Sequence, residues 1–479
     1  MKIKGAASRN ELEAAPMKES GRMNSRILAT LARVANTVAA VFFVLGCLHP
    51  AAGAEGLKPW LENEADSLTQ LYKELHQAPE LSFEEEKTAA KMAAELRELG
   101  FTVTEKVGGH GVVGVLKNGD GPKLMLRADM DGLPVVEETG LDYASQVKVR
   151  DARGATVGVM HACGHDMHMT MLLGTLRYLV AHRDEWKGTL VPILQPAEER
   201  GGGASAMLED GLFSRFPRPD YALALHVAAD RPTGNVAWRP GYAMANVDSV
   251  DITIKGKGGH GAYPHTTIDP IVIAAKLILD LQTIASREVK PIEPLVVTVG
   301  AIQAGTKHNV ISDECKLQLT VRSYKPEIRE QILDAIRRKA NAAAASAGAP
   351  EPEVTISDGT PALSNDEKLA ARLNPVIRKV IGKDNVEESE PSMGGEDFGA
   401  YGRAGVPILM MSVGSVSPER LEKYKESGGA PSLHSPQFYP DIAGTIETGV
   451  TTLTAASLEL LQSKQKDLTA KDAKSAKEE

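Results

Sequence analysis

Apolar residues recur at helical spacing through Glu84–Leu99, where Ala89, Met92, Ala93, Leu96 and Leu99 share one face and Gly100 supplies a stop. Gly111–Leu116 and Leu124–Ala128 predict short strands, and Met167–Val180 is again apolar at helical spacing. Strands follow at 190–194 and 221–227. This alternation predicts an α/β layer architecture. The order changes near residue 246. Val247–Ile254 alternates like a strand, Asp269–Ser286 reads as a helix, and Leu295–Ile302 and Lys316–Arg322 read as strands. An Ala-rich helix at Glu327–Ala347 and a strand at Glu353–Ile356 complete a βαββαβ order, that of a ferredoxin-like sandwich. The first pattern then resumes with a helix at Asp366–Ile381 and a strand at Val406–Met411. The expectation is a discontinuous main domain, 57–245 and 359–465, with an inserted satellite domain at 246–358.

Length and composition agree with two domains. The chain has 479 residues, beyond the size of one hydrophobic core. A net charge of −9 argues against a nucleic-acid partner. Residues 1–54 read as an N-terminal extension ending in a signal peptide. Arg26 and Arg33 precede the apolar segment Val34–Leu48, and Ala52-Gly-Ala54 fits a cleavage site. The apolar segment falls short of the roughly 20 residues that span a bilayer, so the mature chain is expected to carry no membrane span. Export to the periplasm or medium is the first reading. A lipoprotein anchored at Cys47, in Val44-Leu-Gly-Cys47, is the second. Cleavage leaves Cys163 and Cys315, too few for a disulfide framework, and Cys315 sits in an alternating strand as a small core residue. The charged tail, 466–479, receives no function.

The chemistry concentrates in Val159-Met-His-Ala-Cys-Gly-His-Asp-Met-His168, which packs one thiol and three imidazoles into ten residues. Divalent metals of intermediate softness bind such donors well. A redox pair or a chance grouping fits the same ten residues. The spacing Cys163-x-His165 is too tight for a zinc finger, so a metal here draws its other ligands from distant segments. Leu190-Val-Pro-Ile-Leu194 runs into Gln195-Pro-Ala-Glu-Glu199. Adjacent carboxylates at a strand exit are either solvated loop charges or a pair that divides one task, metal for one and protons for the other. Tyr221-Ala-Leu-Ala-Leu-His226 is a further apolar strand ending in His, and Ser432-Leu-His434-Ser-Pro436 adds a Pro-bounded His.

Nine motifs in order resemble the M20 metallopeptidase family, nearest its amidohydrolase subfamily of hippurate hydrolases, N-acyl-amino-acid amidohydrolases and auxin-conjugate hydrolases. They are His76-Gln-Ala-Pro-Glu-Leu-Ser-Phe-Glu-Glu85, Leu126-Arg-Ala-Asp-Met-Asp-Gly-Leu-Pro134, Met160-His-Ala-Cys-Gly-His-Asp166, Gln195-Pro-Ala-Glu-Glu199, Leu225-His-Val227, Gly256-Lys-Gly-Gly-His-Gly-Ala262, His308-Asn-Val-Ile-Ser-Asp313, Met393-Gly-Gly-Glu-Asp-Phe398 and Leu433-His-Ser-Pro436.

The resemblance implies a zinc-peptidase-like catalytic domain whose satellite covers the site and forms a homodimer. It implies two divalent ions per subunit, Mn or Zn, on Cys163, His165, Glu199, His226 and His434. It assigns proton transfer to Glu198 and the orientation of a ligand to Asp131. His260 would stabilise the oxyanion in the partner subunit's site, Asn309 and Arg322 would hold the substrate carboxylate, and Gly394 and Gly395 would let backbone approach closely. Asp129 stands where many relatives place a His ligand, and His165 takes over that task. His161 and His168 stay outside the expected site. The implied activity is hydrolysis of N-acyl amino acids of the hippurate kind to a carboxylic acid and a free amino acid. A dipeptidase or carboxypeptidase with the same centre is the nearest alternative. A noncatalytic binding protein predicts loss of the base or a ligand, yet Glu198 and all five ligand positions are present. Arg200 and the charged segment Val147–Gly158 depart from the family pattern at the mouth of the pocket.

Overall fold

A computed structural model describes residues 54–150, 154–357, 359–426 and 428–462. The expected signal peptide up to residue 53, Cys47 and the charged tail lie outside them. Helix α1 (Ala54–Gln77) and helix α2 (Glu86–Glu98) open the fold. Strands β1 (Thr102–Val107), β2 (Gly111–Asn118) and β3 (Lys123–Asp129) follow. Helix α3 (His165–Ala181) leads to β4 (Gly188–Gln195), β5 (Tyr221–Pro232) and β6 (Val236–Trp238). β3 and β4 are buried on both faces nearly throughout, the mark of inner parallel strands covered by helices.

The next four strands build a separate sheet. β7 (Asn246–Lys255), β8 (Leu295–Ala304), β9 (Glu314–Ser323) and β10 (Glu353–Ile356) pair in the order β8-β9-β7-β10, all antiparallel. β7 and β9 alternate buried and exposed residues, as a sheet covered on one face requires. Helices α4 (Pro270–Thr283) and α5 (Pro326–Ser346) supply the cover, and Ile252, Leu277, Leu317 and Ile336 meet in a core of their own. Between the two sheets, Gly241–Met244 pairs antiparallel with Leu363–Asn365, and Val247 bridges Thr360. Helix α6 (Glu367–Ile381), β11 (Val386–Glu388), β12 (Ile408–Val416) and helix α7 (Ile442–Leu461) complete the fold.

The large sheet has eight strands in the order β1-β2-β4-β3-β5-β12-β6-β11. Its centre, β4-β3-β5-β12, is parallel. Ligands of such sheets gather beyond the carboxyl ends of the parallel strands.

Two long helices, α1 and α7, escaped the periodicity reading. Six apolar residues of α1 from Leu57 to Leu75 are buried, yet charged residues crowd its other face. α7 is rich in Thr and Gly, poor helix formers. Its Thr448, Thr452 and Ser457 hydroxyls donate to carbonyls four residues back, which satisfies them inside the core.

Candidate active site

Four elements deliver the expected side chains to one edge of the large sheet. β3 ends at Asp129, with Asp131 two residues on. β4 ends at Gln195, and a single helical turn, Glu198–Arg200, follows. Helix α3 starts at His165, entered through Gly164 at φ +79°. A side chain is disfavoured there twice over, because that conformation strains an L-residue and a Cβ would lie 2.6 Å from Val227 Cγ2. The sharp entry turns Cys163 and His165 toward the same space. β5 does not end at His226 as its apolar run suggests. It continues to Pro232 because β12 still pairs with it, whereas β3 leaves it after Ala224. His226 therefore lies two residues past the last β3 pairing of β5, at Ala224. His434 arrives on a loop, at φ +69°, with its backbone N–H donating to the Ala162 carbonyl at 2.9 Å.

Two donor triads overlap at Cys163. Cys163, His165 and His226 offer ligand atoms all within 4.8 Å of one another, and so do Cys163, Glu199 and His434. Cys163 Sγ lies 3.6 Å from His226 Nε2, while His226 Nδ1 donates to the Val227 carbonyl at 2.8 Å. That hydrogen bond leaves Nε2 as the bare donor atom facing the thiol. His434 Nε2 lies 3.5 Å from Glu199 Oε1. His165 Nδ1 lies 3.2 Å from Asp131 Oδ1, and its Nε2 lies 3.9 Å from both Glu198 Oε2 and Glu199 Oε1.

The residues fit a cationic guest. His165 Nε2 and Glu199 Oε1 are buried without a hydrogen-bond partner, while His165 Nδ1 faces the Asp131 carboxylate. Burial pushes the Cys163 thiol up and holds the Glu199 carboxyl at about 7. A divalent ion reverses that preference by stabilising thiolate and carboxylate.

Asp131 organises the neighbourhood. It accepts from Ser82 Oγ at 2.6 Å, from the Glu198 N–H at 3.1 Å and from the Glu199 N–H at 3.0 Å. Burial opposes its charge, but His165 and these donors hold its carboxyl below the usual range. Glu198 sits beside Glu396 and Asp397, with donor oxygens within 4.8 Å. Burial, then those two carboxylates, raises its carboxyl well above the ordinary value.

Arg127, unremarked in the sequence reading, anchors this ground. Its side chain is fully buried and bonds Asp129 at 2.7 Å, Glu396 at 2.9 Å, Asp397 at 3.1 Å and Gln195 at 3.1 Å. The signal was a lone cation inside an apolar strand, which stays buried only when paired. Asp129 is spent on Arg127 and on His168 Nδ1 at 2.7 Å. His168 Nε2 accepts from the Val227 N–H at 2.9 Å, so both its nitrogens are occupied. His161 is buried, and neither of its nitrogens has a partner. His76 was missed as well. It lies buried between Asp166 at 2.6 Å and Glu137 at 3.1 Å.

The remaining expected residues sit on or near the second sheet. His260 and Asn309 are exposed neighbours across a two-residue pairing, with the Gly261 N–H donating to the Asn309 carbonyl. Among the described residues, no hydrogen bond or ion pair joins His260 to the Cys163 cluster. Arg322 Nη1 donates to the Met393 carbonyl at 2.7 Å. Gly395 packs on Val247, whose Cγ2 a Cβ would meet at 2.5 Å. A cavity of about 540 Å³ opens beside His226, walled by Trp238, Met244, Leu363, Met410 and Leu433. A larger one of about 770 Å³, near Tyr242 and Arg403, touches none of the candidate ligands. Among the described residues, no helix is long and apolar enough to cross a membrane.

The model of peptidase family M20/M25/M40 matches residues 125–457. A thermostable carboxypeptidase of Saccharolobus solfataricus is 37% identical over 351 residues, 72% of this chain and 86% of its own. An N-acetyl-L-cysteine deacetylase of Bacillus subtilis is 38% identical over 338 residues, 70% of this chain and 77% of its own. The crystal structure of the Bacillus subtilis YXEP protein, described as a dinuclear metal-binding peptidase of family M20, superposes with a TM-score of 0.68. The two are 30% identical, and the match covers 84% of this chain and 99% of that one. With the motifs, the parallel-sheet edge and the clustered thiol, imidazole and carboxylate donors all in agreement, the chain belongs to peptidase family M20/M25/M40, hydrolases that act on amide bonds.

Proposed function

We propose that this enzyme hydrolyses the amide bond of N-acyl amino acids, releasing a carboxylic acid and a free amino acid. The observation that carries the reading is the pair of donor triads sharing Cys163, with Glu198 at their rim. Cys163, His165 and His226 would hold one divalent ion, and Cys163, Glu199 and His434 would hold a second. Thiolate with imidazole suits Zn, and imidazole with carboxylate also suits Mn. Bound there, the ions supply Lewis acidity and make water a nucleophile at neutral pH. Glu198 takes a proton from the attacking water and hands it to the leaving amine. Asp131 holds His165 and the two Glu amides in register. Arg322 and Asn309 receive the substrate carboxylate, a task for which a guanidinium fork is suited. The cavity beside His226 accepts an apolar group of the substrate.

The enzyme acts as a homodimer through the second sheet. β8 is an edge strand, and Ile271, Val272 and Leu279 on α4 are exposed apolar residues beside it. His260 reaches the partner subunit's site, and the mature chain is exported.

A carboxypeptidase is the second reading, favoured by the Saccharolobus relative. Assays of purified, metal-loaded protein on N-acetyl and N-benzoyl amino acids beside dipeptides separate the two. Preference for dipeptides overturns the amidohydrolase reading, and turnover of neither class overturns both.

A further inference from the structure

The turn that carries Glu198 and Glu199 is held from outside by side chains. Its three consecutive amides, at 197, 198 and 199, donate to carboxylates of other segments. The Ala197 N–H donates to Glu85 Oε1 at 2.7 Å, and the next two donate to Asp131. Ala197 has φ +51°, a left-handed conformation that strains an alanine. It persists only where surroundings over-determine it. Phe83 is in the same position. Its φ is +65°, and its N–H donates to the same Glu85 oxygen at 3.0 Å. Two of the four described non-glycine residues with positive φ thus converge on one oxygen atom. Ser82, beside Phe83, in turn holds Asp131 at 2.6 Å. The loop 82–85 therefore grips all three amides, one through Glu85 and two through Ser82 and Asp131.

We infer that Glu85 is a positioning residue for Glu198, acting by clamping the strained 83 and 197 turns on one buried carboxyl oxygen. This rests on the reading of Glu198 as the proton-transfer group. Glu85 is fully buried, and its second oxygen has no partner. Such a group is costly to keep unless its first oxygen does necessary work. Burial pushes its carboxyl up to about 7, so a neutral acceptor of the same shape is tolerable. What the clamp needs is an acceptor atom, not a charge.

The test compares Glu85→Gln, which keeps the acceptor, with Glu85→Ala and the bulkier Glu85→Met, which remove it. Reactive groups displaced by about 1 Å lose on the order of 10²-fold in rate. Acceptor-less variants should therefore lose about that much in kcat, with KM and bound metal per subunit at wild-type values. Glu85→Gln should recover most of the loss. Glu198→Gln, assayed alongside, separates the two readings. If it stays active, the proton-transfer assignment fails. If it is dead while Glu85→Ala or Glu85→Met keeps wild-type kcat, the clamp alone fails. A Glu85→Gln protein as slow as Glu85→Ala overturns the clamp too, because charge then matters rather than the acceptor. Failure of both Ala and Met variants to fold also overturns it, since Glu85 would then hold the fold and not the turn.

Discussion

The proposed mechanism asks Glu198 to be a base in a place that resists charge, since burial, Glu396 and Asp397 all favour its protonated form. Its place at the rim of the donor cluster would resolve the conflict, because cations held there would favour the carboxylate, and a proton it takes up could then pass to the leaving amine. Replacing Glu198 with Gln should leave metal and substrate binding intact and lower kcat by about 10²–10⁴-fold. Steady-state kinetics with metal analysis of the same sample check this, and a kcat within a few-fold of wild type refutes the role. Cys163 carries a different burden, since both triads need it. Cys163→Ser should lose both ions, whereas His226→Ala should lose mainly the one that its own triad holds. Elemental analysis at wild-type stoichiometry in both variants would sink the ligand assignment. The adjacent pair Glu198-Glu199 and the Cys/His cluster were readable because chemistry-bearing types crowd into short windows. Arg127, Glu85 and Ser82 were not, because each also bonds a partner 49 to 270 residues away that no local pattern reveals.

Helix α3 shows how an element sets site geometry. It is buried almost all round, so its register is fixed by packing, and Gly164 and Asp166 fix its entry. Asp166 Oδ2 bonds His76 Nδ1 at 2.6 Å, and Glu137 holds the other nitrogen. Burial lowers the proton affinity of His76, but the two carboxylates outweigh it and lift the imidazole from 6.5 to about 9. A folded-state value above the unfolded one gives stability that is full below pH 6.5 and lost as pH rises through 9. Thermal unfolding should therefore show an alkaline loss between these pH values that a His76→Gln variant lacks. Identical pH profiles for the two proteins would refute the charged clamp. Elements with clean periodicity, such as α2 and β3, were legible almost to the residue. The end of β5 was not, because its length depends on which neighbour still pairs with it. α1 and α7 were missed because charge on one and threonine on the other blur the apolar stripe.

At the scale of the whole molecule, His260 is the residue whose place makes least sense in one chain. It is exposed on a two-residue pairing with Val310 and flanked by glycines, and among the described residues its side chain is hydrogen-bonded only within its own turn, by the Ala262 N–H at 3.0 Å. In the proposed homodimer, a two-fold contact through edge strand β8 and the apolar face of α4 would bury Ile271, Val272 and Leu279 and would carry the His260 turn toward another subunit. Losing one oxyanion donor costs on the order of 10²–10³-fold in kcat, with metal content unchanged. The arrangement in trans has a direct test. His260→Ala and Glu198→Gln proteins should each keep only a small residual activity. Mixed in equal amounts and allowed to exchange subunits, half of the dimers become heterodimers. Each heterodimer then has one site with an intact Glu198 and the partner's intact His260. Specific activity should rise to about a quarter of wild type by this two-fold arithmetic. If mass spectrometry shows heterodimers and the mixture stays at that residual level, His260 serves its own chain or takes no part.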